Sequence, residues 1–529
     1  MRKCLLSATL AAQRSKSRSR RSDPLRSRNG RVRGSSHDRK PIAQRGRKTP
    51  EGHASAQPAR PVEGRVIARR GSQRAGALRL SDMGPICDLA VRREALSHGV
   101  GPGTVQQALT QLKREGLIRA QPGQGTFVAE RPASPPTRDL SWQSISLGAQ
   151  RGSSEPLAEL VALPSAGVLT LSTGYLPPDL QPTRLLASAL GRAARRPGVW
   201  DRIPVEGLEP LRAWFAQDLG ADMSAHDVII CPGTQAALAC AFRALAPPGA
   251  PVLVESPSYI GAIAAARAAG LRITAVPCDT DGVRPELLDD ALESTGARLF
   301  YGQPLYANPH GSVLSPIRRG QILTLLHDHG AFMIEDDWAR DLSLESQPPP
   351  PLATEDDHGH IVYVRSLTKP AAPGLRIGAL AARGPAAARL RAARVVEDFF
   401  VTGPLQEAAL EIVTSPAWRR HLQSLAAVLR QRRDALEASV ERHLLAAVIP
   451  NIPRGGLHLW IELAHGTDDE ELARTALRAG VLVSAGRHWF PTEPPGSFLR
   501  LTYAAAQPVE LEAAVRKLAD LPSSRPAVP

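Results

Sequence analysis

The sequence predicts two domains: a small helical domain that ends in a hairpin, followed by a large α/β domain with a mainly parallel sheet. A chain of 529 residues exceeds what one hydrophobic core usually holds, which favours at least two domains. Residues 88–128 combine an apolar helix face with a glycine-rich turn between two short apolar runs. Beyond residue 164, short apolar runs alternate with segments rich in Ala and Leu, a pattern typical of parallel sheets covered by helices.

The positive charge is concentrated at the start of the chain. The net charge is +14, but residues 1–75 hold 21 Lys and Arg against 4 Asp and Glu, which leaves 44 basic and 47 acidic residues for the remainder. Residues 1–60 consist largely of Arg, Ser, Gly and Pro, so they cannot bury enough apolar surface to fold, and we expect a disordered basic extension. This extension is either an arm that contacts DNA phosphates or the product of an upstream start codon or a frameshift.

Cysteine usage and hydropathy favour a cytoplasmic protein that does not enter membranes. The five cysteines are scattered without CxxC spacing, so we expect neither a metal site nor a disulfide framework. The apolar segment after Met1 is short and interrupted, unlike a signal peptide, and no apolar run approaches the length of a membrane-spanning helix.

Residues 104–116 predict an amphipathic helix with a polar outer face. Apolar residues recur at the helical spacing i, i+3, i+4, i+7, from Val105 to Leu112. Glutamines can read base edges while cations meet phosphates. The predicted DNA-contacting residues are Thr104, Gln106, Gln107, Gln111, Lys113 and Arg114. A hairpin follows over residues 118–128, with Gly123 and Gly125 in its turn.

This helix and hairpin resemble the recognition helix and wing of the GntR family of transcription regulators, through the stretch TVQQALTQLKREGLIRAQPGQGTFV. The resemblance implies a winged helix-turn-helix domain over residues 61–130 that binds a double-stranded DNA operator. The first helix of that family, with its LPS.R entry, is not recognisable in residues 60–88. Residues 131–164, rich in Pro and Ser, predict a linker.

The large domain, predicted over residues 165–525, carries its polar motifs at the ends of apolar runs. Ligands belong at such strand ends in a parallel sheet. After the run at 228–230, Gly233, Thr234 and Gln235 open a helix whose backbone NH groups can hold a phosphate. After the run at 361–364, Lys369 sits among small residues and prolines, where desolvation lowers its pKa and makes the amine a nucleophile toward an aldehyde.

Two residues beside this lysine suit a phosphate monoester. Ser366 offers a hydroxyl, and Arg376 offers a charged fork of two donors. Taken with Lys369, the stretch SLTKPAAPGLRIG resembles the cofactor lysine loop of fold-type I aminotransferases. That resemblance implies a pyridoxal-phosphate-dependent transferase fold, pyridoxal 5'-phosphate as the cofactor, and Lys369 as the residue that forms the imine with it.

Further motifs extend this resemblance and assign roles. It implies that the ring of Tyr259 stacks on the pyridine and that Asn308, in a turn similar to NPTG, binds the phenolate oxygen. Asp336, preferred to Asp337 by the motif, would keep the pyridine nitrogen protonated. Arg500 would bind the α-carboxylate of a substrate. With the N-terminal domain, the chain resembles MocR-type regulators, which implies a homodimer that senses the cofactor or an amino compound.

Three positions depart from the family pattern. Trp338 stands where a Tyr commonly binds the cofactor oxygen, and Arg202 stands where a Tyr usually reaches the partner subunit's phosphate. His310 replaces the usual Thr. We therefore expect cofactor binding to survive better than transamination. The alternatives are an active class I/II aminotransferase with a degenerate N-terminal region, and a DNA-binding protein whose large domain only dimerises.

Overall fold

The computed structural model describes residues 102–114, 118–121, 125–128, 140–147, 156–157, 161–163, 165, 167–220, 223–345 and 347–521. The chain divides into two compact units, residues 1–144 and 145–529. The predicted basic extension over residues 1–60 and the start of the predicted DNA-binding domain, residues 61–101, lie outside the described residues.

The described part of the first unit contains the predicted helix and hairpin. Helix α1 spans Pro102–Arg114, and strands β1 (Ile118–Gln121) and β2 (Gly125–Val128) pair antiparallel, with Ile118 opposite Val128. The helix begins two residues before the predicted start, because proline suits the first helical position. Leu112 and Ile118 are buried. The exposed side chains of this helix include Gln106, Gln107, Gln111, Lys113 and Arg114, so the predicted polar face points outward.

A helix that the sequence did not predict lies within the linker region. Helix α2 spans Ser141–Leu147, and none of its residues is buried. Trp142, Ile145 and Leu147 are among its exposed apolar side chains. A composition rich in Pro and Ser therefore does not exclude a short helix within residues 131–164.

A sheet of eight strands organises the second unit among the described residues. The strands are β4 (Val228–Cys231), β5 (Pro251–Ser256), β6 (Arg272–Asp279), β7 (Gly282–Val283), β8 (Leu299–Gly302), β9 (Phe332–Asp337), β10 (Ile361–Ser366) and β11 (Gly378–Ala381). Their order across the sheet is β4-β11-β10-β9-β8-β5-β6-β7. Strands β4, β10, β9, β8, β5 and β6 run parallel, and β11 and β7 run antiparallel to their neighbours. The expected α/β domain with a mainly parallel sheet is confirmed.

Apolar side chains cover both faces of this sheet. Val228 and Ile230 join the core on one face, while Ile229 and Cys231 join the core on the other, as the alternation of a strand requires. The helices that cover the two faces are α3 (Thr183–Ala193), α4 (Glu209–Leu219), α5 (Thr234–Leu245), α6 (Ile260–Ala268), α7 (Pro285–Thr295), α8 (Pro316–Asp328), α9 (Gly384–Glu397) and α10 (Gly403–Val413).

The C-terminal part of the second unit forms a smaller antiparallel sheet. Strand β15 (Phe498–Thr502) lies between β12 (His458–Glu462) and β14 (Ser484–Ala485), and the short strands β3 (Leu169–Thr170) and β13 (Val481–Leu482) pair beside them. Helices α11 (Pro416–His443), α12 (Asp469–Arg478) and α13 (Pro508–Ala519) complete this part. No helix in the described ranges is long and apolar enough to cross a membrane.

Candidate functional site

The predicted site residues converge at one edge of the large sheet. Strands β4, β5, β8, β9 and β10 end at this edge because they run parallel. The residues that follow or end these strands include Gly233, Tyr259, Asn308, Asp336 and Lys369. The smaller sheet contributes Arg500 from β15.

The amine of Lys369 lies in a desolvated, electropositive position. Its Nζ donates a hydrogen bond of 2.9 Å to the backbone oxygen of Gly174 and lies 3.9 Å from the centre of the Tyr175 ring. Burial lowers the pKa of Lys369 to about 7, and the positive charges of Arg500 and Arg376 act in the same direction. Near neutral pH, a large fraction of this amine is therefore unprotonated and nucleophilic.

The carboxylate of Asp336 is buried, and one of its two oxygens accepts hydrogen bonds. Its Oδ2 accepts hydrogen bonds from the Tyr301 hydroxyl at 2.7 Å and from Gln303 Nε2 at 2.9 Å. Its Oδ1 is buried and has no hydrogen-bond partner within the described part of the chain. Burial raises the pKa of Asp336 to about 6 against the opposing effect of these two hydrogen bonds. A protonated ring nitrogen would satisfy Oδ1 and keep the carboxylate charged.

Asp337 points to the opposite face of β9 and has other partners. Its Oδ2 accepts hydrogen bonds from the Tyr363 hydroxyl at 2.9 Å and from Nε of Arg340. Consecutive strand residues alternate between the two faces of a sheet, so only one of the two aspartates can face a given ligand. Oδ1 of Asp337 is also buried and has no hydrogen-bond partner in the described ranges. The charge of Lys369, however, acts on the pKa of Asp336, which favours Asp336 as the acid that shares a site with this lysine.

Hydrogen-bond donors that could bind a phosphate lie at the start of helix α5. The guanidinium of Arg376 packs against Gly233, and its Nη2 donates to the backbone oxygen of Pro232 at 3.0 Å. Gly233 adopts φ +88° and precedes the helix without a side-chain cap, so the first NH groups of α5 are open to an anion. Arg376 itself has a left-handed φ of +49°, a strained conformation for a non-glycine residue.

Ser366 and Thr368 border this region from the end of β10. The side chain of Ser366 is buried, and its oxygen accepts a hydrogen bond of 3.2 Å from the Thr368 backbone NH. The Thr368 hydroxyl is buried and has no hydrogen-bond partner within the described ranges. Two hydroxyl groups thus lie beside Lys369, as a phosphate monoester would require.

The predicted stacking residue, Tyr259, is held by helix α5. Its hydroxyl donates to Gln235 Oε1 at 3.1 Å, and Gln235 Nε2 donates to the Gly261 backbone oxygen at 2.8 Å. The ring packs so closely on Gly261 that a Cβ there would lie 2.4 Å from its Cζ atom. Gln235 therefore holds Tyr259 in place within this arrangement.

Asn308 and Arg500 are directly linked. Arg500 Nη1 donates to Asn308 Oδ1 at 3.2 Å and to His458 Nε2 at 3.2 Å, and Nη2 donates to the Ser172 backbone oxygen. The guanidinium also stacks on the Trp489 ring, with its central carbon 4.1 Å from the ring centre. Because Asn308 Oδ1 accepts from Arg500, the Nδ2 group of that amide is left to donate to a ligand oxygen.

Trp338 contributes contacts but no free donor. Its indole Nε1 donates to the Tyr306 backbone oxygen at 3.1 Å, so this NH is already used. The indole stacks on His458, with ring centres 5.6 Å apart. The indole NH is therefore not free to donate to a cofactor oxygen, and the role of Trp338 as a cofactor residue stays a prediction.

Several predicted residues lie outside this cluster. The side chain of Arg202 is exposed, and its contact with a partner subunit stays a prediction. His310 lies beyond the Asn308 turn, where burial lowers its pKa to about 4. The predicted DNA-contacting residues belong to the other unit, and Thr104 is part of helix α1.

Sequence reasoning missed the residues that support the predicted ones. They are Gly174, Tyr175, Tyr301, Gln303, His458 and Trp489. Gln303 connects three groups, since its NH donates to Glu255, its Nε2 to Asp336, and its Oε1 accepts from the Asn308 NH. The signal that could have identified Gln303 was its position directly after β8, next to the Asn308 motif.

The donor set fits the cofactor that the sequence predicts. Asp336 Oδ1, which has no partner in the part of the chain that the structure describes, suits a pyridinium nitrogen, and the uncapped start of α5 beside Arg376 suits a phosphate. The nucleophilic Lys369 suits an aldehyde. These three groups occur together in pyridoxal phosphate.

Comparisons with known proteins agree with this fit. The family model of aminotransferase class I and II matches residues 178–518, and that of the bacterial regulatory proteins of the gntR family matches residues 89–128. The uncharacterized HTH-type transcriptional regulator YisV of Bacillus subtilis is 31% identical over 80% of this chain and 88% of its own length. The probable rhizopine catabolism regulatory protein MocR of Rhizobium meliloti is 26% identical over 81% of this chain and 87% of its own length.

A solved structure shares the fold of the large domain. LysN, the alpha-aminoadipate aminotransferase of Thermus thermophilus, complexed with N-(5'-phosphopyridoxyl)-L-leucine, superposes with a TM-score of 0.65 at 28% identity. The match covers 72% of this chain and 97% of LysN. The cofactor of this chain is therefore pyridoxal phosphate, and the chain belongs to the MocR-type transcription regulators of the GntR family, in which a winged helix-turn-helix domain precedes a fold-type I aminotransferase-like domain.

Proposed function

We propose that the large domain binds pyridoxal phosphate at Lys369 and uses it to sense an amino acid, and that this signal changes the affinity of the N-terminal domain for a DNA operator. The observation that carries this proposal is the buried Asp336 Oδ1, which has no hydrogen-bond partner among the described residues and shares a site with the desolvated Lys369 amine. The gntR-type region of the same chain would bind the operator, and the site in the large domain would control that binding.

We assign the remaining site residues by their chemistry. The start of α5 at Gly233, Thr234 and Gln235, with Ser366 and Arg376, would bind the phosphate. Tyr259 would lie against the ring, Asn308 would donate to the phenolate oxygen, and Asp336 would hold the protonated ring nitrogen. When bound, the cofactor supplies an aldehyde for amines and a ring that withdraws electrons.

The effector class follows from Arg500. Of the five NH donors of a guanidinium, three are used by Asn308, His458 and Ser172, and Nε is buried without a partner within the described ranges. Two NH donors of Arg500 therefore remain, one for each oxygen of a carboxylate. A ligand that carries both an amine for the cofactor and a carboxylate for Arg500 is an amino acid, and the resemblance of the Arg500 motif favours the α-amino acids.

We also propose a cytoplasmic homodimer in which each subunit completes the site of its partner. Trp200, two residues before Arg202, has an exposed apolar side chain, and so do Val396 and Phe399 at the end of α9 and beyond it. The segment before Arg202 packs on the start of α10, since a Cβ on Gly403 would lie 2.4 Å from the Val199 oxygen. Exposed large apolar side chains of this kind suit a subunit interface.

Mixed dimers test this shared site. In a mixture of Arg202→Ala and Lys369→Ala subunits, each heterodimer would hold one site with both residues intact. We expect the mixture to bind the cofactor more tightly than Arg202→Ala alone, by an amount set by the heterodimer fraction. If the mixture bound the cofactor only as the sum of the two variants measured separately, the shared site would be contradicted.

An active aminotransferase is the second candidate. The near-complete set of Lys369, Asp336, Asn308 and Arg500 and the likeness to LysN favour it. Against it, the indole NH of Trp338 is held by Tyr306 and is not available to the cofactor oxygen. Single-turnover measurements with a panel of amino acids separate the two candidates, because a sensor should bind amino acids with a spectral change but convert the cofactor slowly.

The test of the regulator is a paired titration of DNA and cofactor. An operator can be selected from a random-sequence duplex pool by the full-length protein. We expect its affinity to change when the cofactor or an amino acid is added, and we expect Lys369→Ala to abolish the change. An operator affinity that responds equally in Lys369→Ala would contradict the proposed role of this lysine.

A further inference from the structure

We propose that His458 is a positioning residue for Arg500, and that through this contact it gives the site its preference for ligands with an α-carboxylate. This inference rests on the proposed function, since it concerns how that site recognises an amino acid. His458 lies on β12, next to the strand that carries Arg500. Both side chains are buried, and His458 Nε2 lies 3.2 Å from Arg500 Nη1.

The contact fixes the tautomer of the imidazole. A guanidinium can only donate hydrogen bonds, so His458 Nε2 must be the acceptor and the ring proton must lie on Nδ1. Nδ1 is buried and has no hydrogen-bond partner in the described part of the chain. Burial, with the charges of Arg500 and Lys369, holds the pKa of His458 well below its ordinary value. The imidazole is therefore a neutral acceptor at physiological pH.

Trp338 keeps the imidazole in place. The two rings are stacked at an angle of 22°, and the indole is anchored by its hydrogen bond to the Tyr306 oxygen. Gly174 borders the imidazole on another side, where a Cβ would make ordinary van der Waals contact at 3.8 Å with both Cε1 and Nε2 of His458. Trp338 thus takes on the role of a support for His458 instead of a cofactor donor.

Arg500 depends on three acceptors for its orientation. Asn308 and His458 both accept from Nη1, and the Ser172 oxygen accepts from Nη2. Without the His458 acceptor, one Nη1 donor would be buried and unpaired, and the guanidinium could turn to satisfy it. Such a turn would move the two remaining donors away from the carboxylate, because bidentate recognition tolerates little rotation.

A matched pair of variants isolates this hydrogen bond. His458→Phe keeps a ring against Trp338 but removes the acceptor, whereas His458→Gln places a neutral oxygen near the position of Nε2. The probes are L-leucine and 3-methylbutylamine, which differ only in the carboxylate, and the readout is the change in cofactor absorbance on binding. We measure the ratio of the two dissociation constants for the cofactor-loaded wild type and each variant.

We expect His458→Phe to lower the preference for leucine about tenfold, as loss of one hydrogen bond to a charged group predicts. Amine affinity should stay unchanged, and His458→Gln should restore the preference. An unchanged ratio in His458→Phe, together with a lost preference in Arg500→Leu, would overturn the inference and leave the proposed function intact. No spectral response of the wild type to either probe would instead contradict the proposed function.

A second measurement reads the tautomer of His458 in the wild-type protein itself. In ¹⁵N spectra of the wild-type protein, with His458→Gln used for assignment, we expect the His458 ring to carry its proton on Nδ1 and none on Nε2. A protonated Nε2 would exclude the hydrogen bond from Arg500 and overturn the inference.

Discussion

The guanidinium of Arg376 occupies the space that a side chain at position 233 would need. A Cβ on Gly233 would lie 2.6 Å from Arg376 Nη2 and 2.7 Å from Cζ. Gly233 also has a φ of +88°, which L-residues rarely adopt. Because Gly233 has no side chain, Arg376 can lie against the first turn of α5, where we place the cofactor phosphate.

Gly233→Ala should weaken cofactor binding by displacing Arg376. Loss of a charged hydrogen bond to the phosphate costs about 1.5 to 3 kcal/mol, or roughly a factor of 10 to 100 in affinity. Gly249→Ala is the matched control, because Gly249 has a φ of +84° but no atom within 4 Å of the added Cβ. Both variants should lose similar thermal stability without cofactor. Equal cofactor affinity in the two variants, measured by equilibrium dialysis, would contradict the phosphate assignment.

Lys369→Ala should abolish the visible absorption band of the bound cofactor, because no other described lysine has a comparable site. Lys517→Ala, an exposed change on α13, should leave the band unaltered. A band that persists in Lys369→Ala would exclude this residue as the point of attachment.

The pH dependence of cofactor capture follows from the lowered pKa of Lys369. The neutral amine is the reactive form, and it predominates above a pKa of about 7 in place of the ordinary 10.5. The capture rate of the cofactor-free protein should therefore rise with pH, reach half its limit near pH 7, and level off well below pH 10. Stopped-flow absorbance measures this rate, and a midpoint near 10 would show that the amine is solvated.

Asp336→Asn and Asp337→Asn should have different effects, although the residues are neighbours. The first removes the charge that Oδ1 offers to a pyridinium, so cofactor affinity should fall by roughly 10- to 100-fold. The second removes a partner of Arg340 and Tyr363 on the other face, so it should lower thermal stability and spare the cofactor spectrum. If Asp337→Asn lowered the cofactor affinity and Asp336→Asn did not, Asp337 would be the acid that faces the ring.

The convergence of the residues that we place around the ligand was predictable because parallel strands end at one edge. Lys369, Asp336 and Asn308 each follow or end an apolar run, and the family motifs selected them among the polar residues there; the observed sheet order brings these strand ends together. The residues that hold them were not predictable in this way. Tyr301 lies inside the apolar run of β8, and His458 meets Arg500 across 42 residues, through an antiparallel pairing that no local pattern indicates.

Substitutions on helix α1 should separate phosphate contacts from base contacts. Lys113→Ala with Arg114→Ala should weaken binding to all duplexes and reduce the slope of log affinity against log salt by about 2. Gln107→Ala should mainly relax sequence preference, by about 1 to 3 kcal/mol at one base pair. Arg516→Ala with Lys517→Ala, an equal charge change on α13, is the control. A control that weakens DNA binding as much as the helix α1 variant would contradict the assignment of this helix.

The most direct measurement is the operator affinity of the full-length protein in four states: cofactor-free, cofactor-loaded, loaded with a saturating amino acid, and Lys369→Ala with the same amino acid. A ligand can shift the protein between two forms only if it binds them with different affinities. We expect the first three states to differ in operator affinity by at least about fivefold and the Lys369→Ala protein to match the cofactor-free state. Operator affinity that stays constant in all four states, alongside rapid conversion of the cofactor by the amino acid, would contradict the regulator and establish the enzyme.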